Sequence, residues 1–213
     1  EALIGVYLPE MRILQGAVER LGGVHLARLD FSQYSSKYPA YLAGEVPNIF
    51  NPKMATGGLM DLGIYCVYPA VMLFGMPDKV SAHARFLSTG ADGSGCVTLH
   101  YADKTVVLTY SKTAQGEIGS EIQGEHGVIR IPRISKLTDM TFTPVGGQPQ
   151  PLSTYTDKYL QMSYEAKRFY EFITQPEQNR AQYRYVSSIA YTVSRVMKMA
   201  REEAGIRFEL SEQ

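Results

Sequence analysis

The sequence predicts an α+β protein: a largely antiparallel mixed sheet with helices packed on one face. Three observations predict it. Between residues 79 and 134 lie short β-type runs separated by Gly, Asp and Ser turn residues. Two late stretches repeat apolar residues at helical spacing. Residues 57–75, GGLMDLGIYCVYPAVMLFG, form a nearly continuous apolar run that reads as a helix over about 57–74.

In chain order, Pro9 opens EMRILQGAVERLG. There Met11, Leu14, Ala17, Val18 and Leu21 fall on one helical face over about 10–21, and Gly22-Gly23 stop the helix. VHLARLDFSQ alternates as a strand. From Ser32 to Thr56 comes a long irregular stretch with three prolines and several tyrosines. Loops of this length are uncommon in compact domains. It is either functional and lid-like, or a surface excursion stapled down by its aromatics. Its Tyr34, Lys37, Tyr38 and Asn51 are candidate substrate contacts.

After Gly75 come the runs KVSAHARFLST, GCVTLHYA, KTVVLTYSK, IGSEIQGE and GVIRIPRI, a meander of about five or six strands. GADGSG reads as a hairpin turn, and GGQPQP, within the weaker 135–154 region, as a loop. Residues 157–174 place Tyr159, Met162, Ala166, Phe169 and Ile173 on one helical face. Residues 187–205 do the same with Ile189, Val193, Val196, Met197 and Ala200. Gly205 ends that helix, and IRFEL reads as a short closing strand.

A chain of 213 residues can bury a sizeable core as one large domain or two small ones. Lys+Arg and Asp+Glu balance at 21 each, so no net field selects nucleic acid or an anionic membrane. Asp61, the glycines and Pro69 keep the apolar run short of the roughly 18 uninterrupted residues of a membrane span. No signal sequence stands at the start, and a first residue of Glu1 rather than Met reads as a piece of a longer protein. Cys66 and Cys96 have no metal or redox spacing and fit a reducing, cytoplasmic setting. The four histidines are scattered. His83 and His100 read as sheet-face residues, so no metal site is expected. Neither GxGxxG nor GxxxxGK[ST] is present, and no serine nucleophile elbow is visible.

One carboxylate interrupts the apolar run. On a helix, Asp61 and Tyr65 stand i to i+4 on one face, with Cβ atoms about 6 Å apart. A phenol there can give or take a proton if a cation lowers its ordinary pKa of about 10. The carboxylate can accept a substrate hydroxyl or orient the phenol. The spacing equally suits a dipole-favoured Asp in a first turn and a core Tyr with a satisfied hydroxyl. Gly57-Gly58 is either a helix entry or a point of close backbone approach. Pro69, which cannot donate to the Tyr65 carbonyl, should kink or split the helix.

GGLMDLGIYCVYPAVMLFG closely resembles the helix of the glucose–fructose oxidoreductase / inositol dehydrogenase (Gfo/Idh/MocA) family that carries an Asp-x-x-x-His or Asp-x-x-x-Tyr pair. The tyrosine form looks most like the dihydrodiol-dehydrogenase-like branch. Glu1-Ala2 followed by Pro9 resembles the junction where the family's first domain ends, and GGVHLARLDFS the strand after it. GSEIQGEHGVIRIP is similar to a sheet segment of I-x-G-x-x-G-x-I-x-I type. In relatives an arginine often stands three residues before Pro9, where this chain has Val6, and many members have histidine at the position of Tyr65.

The resemblance implies that residues 1–213 are a single substrate-binding and dimerisation domain, like the C-terminal domain of glyceraldehyde-3-phosphate dehydrogenase in fold. It implies an NAD(P)-dependent oxidoreductase whose N-terminal Rossmann domain, absent here, holds NAD or NADP and supplies a lysine to the tyrosine. Tyr65 then matches the catalytic acid/base and Asp61 its substrate-binding or orienting partner. The substrate would be a small molecule: a sugar, polyol or dihydrodiol. The chain alone would be inactive, and a homodimer would form through the open sheet face. The rival expectation is a non-catalytic dimerisation or ligand-sensing domain.

Overall fold

A computed structural model describes residues 3–154 and 156–208. The Glu1-Ala2 junction and the last residues of the expected closing strand lie outside them. Helix α1 spans Pro9–Glu19, with the proline at its start where no N–H is needed. Strand β1, Val24–Ser32, enters the centre of an eight-stranded sheet of order β2-β3-β4-β1-β5-β6-β7-β8. The other strands are β2 (Lys79–Phe86), β3 (Asp92–His100), β4 (Thr105–Ser111), β5 (Ser120–Gly124), β6 (Gly127–Ile131), β7 (Thr141–Pro144) and β8 (Gln150–Pro151). β1 runs parallel to β4, with Leu29 beside Leu108, and the other pairings are antiparallel. The sheet is therefore mixed and largely antiparallel.

Period-two alternation divides the sheet into unlike faces. Ala27, Leu29, Val97, Leu99, Val106, Leu108, Ile122 and Ile129 are buried on one face. They pack with Met11, Leu14 and Ala17 of α1, with helix α3 (Ile64–Phe74) and with helix α5 (Arg180–Glu203). On the opposite face one register row reads Ser81, Thr98, Val107, Arg28, Glu121, Arg130 and Thr141. That face is polar, and among the described residues no helix covers it.

Several expectations change. The sheet has eight strands, because β7 and β8 form in the 135–154 region and β8 takes Gln150 and Pro151 from GGQPQP. β3 begins at Asp92, inside GADGSG, so the turn falls earlier, at 88–90. The physical reason is Asp92 itself, which is fully buried and works in the core. The 32–56 stretch holds a short helix, α2 (Tyr38–Leu42), and two 3-10 turns. α5 starts at Arg180 rather than 187. Asn179 there donates to the Gln175 carbonyl at 2.9 Å and so ties it to helix α4, Lys158–Thr174. Residues 206–208 are not a strand.

The expected 57–74 helix does not split at Pro69, since α3 runs unbroken from Ile64 to Phe74. Its irregularity lies earlier, in a π-helical turn at Leu59–Gly63. By length and composition Pro52–Phe74 contains an 18-residue window apolar enough to cross a bilayer, with mean hydropathy 1.5. In this fold 61% of that window is buried, and Cys66, Val67, Tyr68 and Val71 serve the core.

Candidate functional site

The site is built on the entry to α3. Gly57 holds φ +148°, and a Cβ there would run into the Asp92 carboxylate. A Cβ on Gly58 would come within 2.8 Å of the Tyr110 ring. The glycine pair therefore answers to close approach, not only to helix entry. That approach lets the Leu59 N–H donate to Asp92 Oδ2 at 2.7 Å, satisfying a donor at the start of the helical run. Burial pushes the Asp92 carboxyl above the usual carboxylate range, against the opposing pull of the hydrogen bond from Leu59. Burial and the Asp92 charge push the Tyr110 phenol up as well.

From Leu59 the backbone winds wide, and the Ile64 N–H reaches back five residues to the Leu59 carbonyl. Single π turns inside helices are frequent at functional sites. This one contains Asp61 and ends one residue before Ile64-Tyr65. Leu62, Gly63, Cys66 and Val67 turn into the core, whereas Asp61, Ile64 and Tyr65 stay partly exposed. The two polar side chains thus sit on the uncovered side of a buried helix.

Lys112 Nζ donates to Asp61 Oδ2 in a close ion pair. The pair is lopsided, the lysine side chain being 8% exposed and the aspartate 43%. The Tyr65 ring meets Phe31 of β1 edge to face, with centroids 5.2 Å apart and planes at 78°. Beneath them Cys66 is fully buried, and burial pushes its thiol far up, so it is an inert core residue.

The loop residues divide. Tyr34 packs edge to face on Tyr38, which stacks on Tyr41 and meets Phe50, with centroids 5.5–5.9 Å apart. The Tyr41 hydroxyl joins Ser88 Oγ at 2.8 Å, and hydrogen bonds from Ser88 hold that phenol below its ordinary range. The aromatics thus staple the loop down. Lys37 donates its N–H to Ser35 Oγ, and Asn51 Oδ1 accepts the Lys53 N–H at 3.1 Å. The Asn51 side chain and the Lys37 backbone thus serve the loop's own turns. The Gln33 and Ser35 N–H groups donate to the carbonyls of Ser111 and Lys112 at 2.8 and 2.9 Å, which anchors the loop beside the Asp61 partner.

Sequence reasoning missed Lys112 and Asp92. Lys112 carried a signal: Val106, Leu108, Tyr110 and Lys112 share the core-facing parity of β4 and its extension, and all are buried. A lysine in a core register demands a carboxylate. Asp92 carried none, because a DG pair in a glycine-rich stretch is ordinary turn chemistry.

A cavity of about 730 Å³ lies between α4, α5 and residues 6–7, lined by Val6, Tyr68, Phe169 and Phe172 among others. Neither Asp61 nor Tyr65 lines it. Among the described residues no group of His, Cys, Asp and Glu side chains could hold a metal ion.

Comparison with known proteins places the chain. Residues 16–130 match the profile of the GFO/IDH/MocA C-terminal domain. The chain is 40% identical over 169 residues to the uncharacterized oxidoreductase YgjR of Escherichia coli, covering 79% of this chain and 51% of that protein. It is 35% identical over 206 residues to scyllo-inositol 2-dehydrogenase (NADP(+)) IolU of Bacillus subtilis, covering 97% and 62%. It is 30% identical over 183 residues to trans-1,2-dihydrobenzene-1,2-diol dehydrogenase of Macaca fuscata fuscata, covering 80% and 52%. The fold matches an NAD binding oxidoreductase from Klebsiella pneumoniae with a TM-score of 0.74 at 13% identity, covering 96% and 63%. The chain spans 51–62% of the length of these curated relatives.

Proposed function

The chain belongs to the GFO/IDH/MocA family through its C-terminal domain, and from that premise we propose that it is the substrate-binding and dimerisation domain of an NAD(P)-dependent oxidoreductase. The reaction would interconvert a hydroxyl and a carbonyl on a sugar, polyol or dihydrodiol. The observation that carries this reading is the pair of partly exposed polar groups on one buried helix, Asp61 on its π turn and Tyr65 one turn on. A relative named for scyllo-inositol and one named for a dihydrobenzene diol both act on ring carbons bearing hydroxyls, which supports the substrate class.

The residues present do not fit a dinucleotide. Among the described residues no strand leads through a glycine-rich turn into a helix, and β1 runs instead into the tyrosine loop. NAD or NADP would be held mainly by a domain outside this chain. Tyr65 would hold or move the proton at the substrate's reacting oxygen, with Phe31 fixing its ring plane. Asp61 would accept a substrate hydroxyl. Tyr34, Lys37 and Tyr38 stand on the anchored loop as candidate substrate contacts, whereas the Asn51 side chain is engaged in a turn.

The open face of the sheet would be covered by a second copy, as its uncovered row of Arg28, Val107 and Thr98 invites. A cytoplasmic setting accords with two free thiols.

Tyr65→Phe in the intact protein tests the reading. It is expected to lower turnover of polyol or diol substrates by about 10²-fold or more, while this chain alone shows none. Full turnover by the variant, with only a stability change, would favour a non-catalytic sensing or dimerisation domain.

A further inference from the structure

We propose that Lys112 is the positioning residue of this site. It pins one oxygen of Asp61 from beneath and leaves the other aimed outward as a fixed acceptor for a substrate hydroxyl. The inference rests on the reading of Asp61 and Tyr65 as a substrate site. Three observations carry it.

The first is burial. The Lys112 side chain is 8% exposed and lies in the core-facing register of β4, after Val106, Leu108 and Tyr110. An ammonium there must have a counter-charge, and the carboxylate it meets among the described ion pairs is Asp61. The second is asymmetry. Lys112 donates to Oδ2, and Asp61 remains 43% exposed, so the carboxylate has a buried side committed to the lysine and an open side. A carboxylate with one oxygen held by an ammonium is placed to accept a hydrogen bond at the other, and the proton-moving role falls to Tyr65.

The third is connectivity. The Lys112 N–H donates to the Gly93 carbonyl at 2.8 Å, next to Asp92, whose carboxylate holds the Leu59 N–H where the π turn begins. The Lys112 carbonyl accepts the Ser35 N–H at 2.9 Å and so holds the loop that presents Tyr34 and Tyr38. These main-chain bonds fix position 112 between β3 and the aromatic loop, and so fix where its ammonium meets Asp61.

Two measurements test this, and they fail separately. In the 213-residue chain, denaturant midpoints are compared for Asp61→Asn, Lys112→Met and the double variant. Asp61→Asn strands a buried ammonium, so its midpoint is expected to fall below that of Asp61→Asn/Lys112→Met. Additive midpoints would overturn the pairing whatever the protein catalyses.

In the intact protein, steady-state kinetics with scyllo-inositol and a trans-dihydrodiol are compared for wild type, Lys112→Met and Lys112→Arg. Lys112→Met is expected to raise KM for the hydroxyl substrate about tenfold or more, with a smaller change in kcat and an unchanged KM for the dinucleotide. Lys112→Arg should recover part of the loss, and Lys112→Met on an Asp61→Asn background should add nothing further. Coupled midpoints with an unmoved substrate KM would reduce Lys112 to a structural ion pair and overturn the proposal. Absence of turnover in the wild type would instead overturn the oxidoreductase reading and leave the midpoint cycle to decide the pair.

Discussion

Helices α3 and α4 look alike as patterns and behave as opposites. Each carries apolar residues at helical spacing, yet α3 has Cys66, Val67, Tyr68, Pro69, Ala70 and Val71 buried, whereas Gln161 is the buried residue of α4. The stripe expected to seat α4, Tyr159, Met162, Phe169 and Ile173, is between 47% and 81% exposed. α3 is gripped by the sheet below and α5 beside it, while α4 touches mainly the chain's own start and lines an open cavity. An apolar stripe therefore specifies a helix with one sticky side. Whether that side is filled depends on what else lies within reach.

Three substitutions test this contrast, the largest effect first. Leu59→Ala, at the fully buried entry to α3, should lower stability by about 2–5 kcal/mol through transfer and cavity terms, read from denaturant unfolding. A loss below 1 kcal/mol would mean that the π turn is not gripped as described.

Asp92→Asn comes next and acts through pH. The raised carboxyl of Asp92 binds its proton more tightly folded than unfolded, where the ordinary value is about 3.9. Its contribution is thus fully present below that value and is lost as pH rises through the higher folded one. Asparagine keeps an acceptor for the Leu59 N–H but removes this titration. The variant should therefore lose less stability than wild type between acid and neutral pH. Parallel midpoint-against-pH curves for the two proteins would contradict the assignment.

Phe169→Ser on α4 should be the smallest, within about 0.5 kcal/mol in this chain. A cost above 1 kcal/mol in the intact protein, against nothing in this chain, would show that α4 is covered there.

Much of this arrangement was legible in advance, for identifiable reasons. Met11, Leu14 and Ala17 announced α1, and the alternating runs announced β2 through β6, because periodicity reports directly which side of an element is apolar. Asp61 and Tyr65 were legible as an interruption in an apolar run. Lys112 was legible in principle, since it closes the run KTVVLTYSK and its parity matches Leu108 and Tyr110. β7 and β8 were not, being too short for alternation to declare itself. Nor was the burial of Asp92, because nothing in GADGSG distinguishes a turn aspartate from one that enters the core to hold another segment's backbone.

The sequence by itself determined the α+β class, the helical character of the segment bearing Asp61 and Tyr65, and the glycines at its entry. Those properties depend on local periodicity and on residues a few positions apart. Tertiary structure alone decided that β1 would sit between β4 and β5, that Asp92 would close on Gly57-Gly58, and that Lys112 would reach Asp61 from 51 residues away. Each is a contact between segments distant in the chain, set by which buried charge or unpaired N–H finds a partner when the layers close. That competition is resolved only in three dimensions.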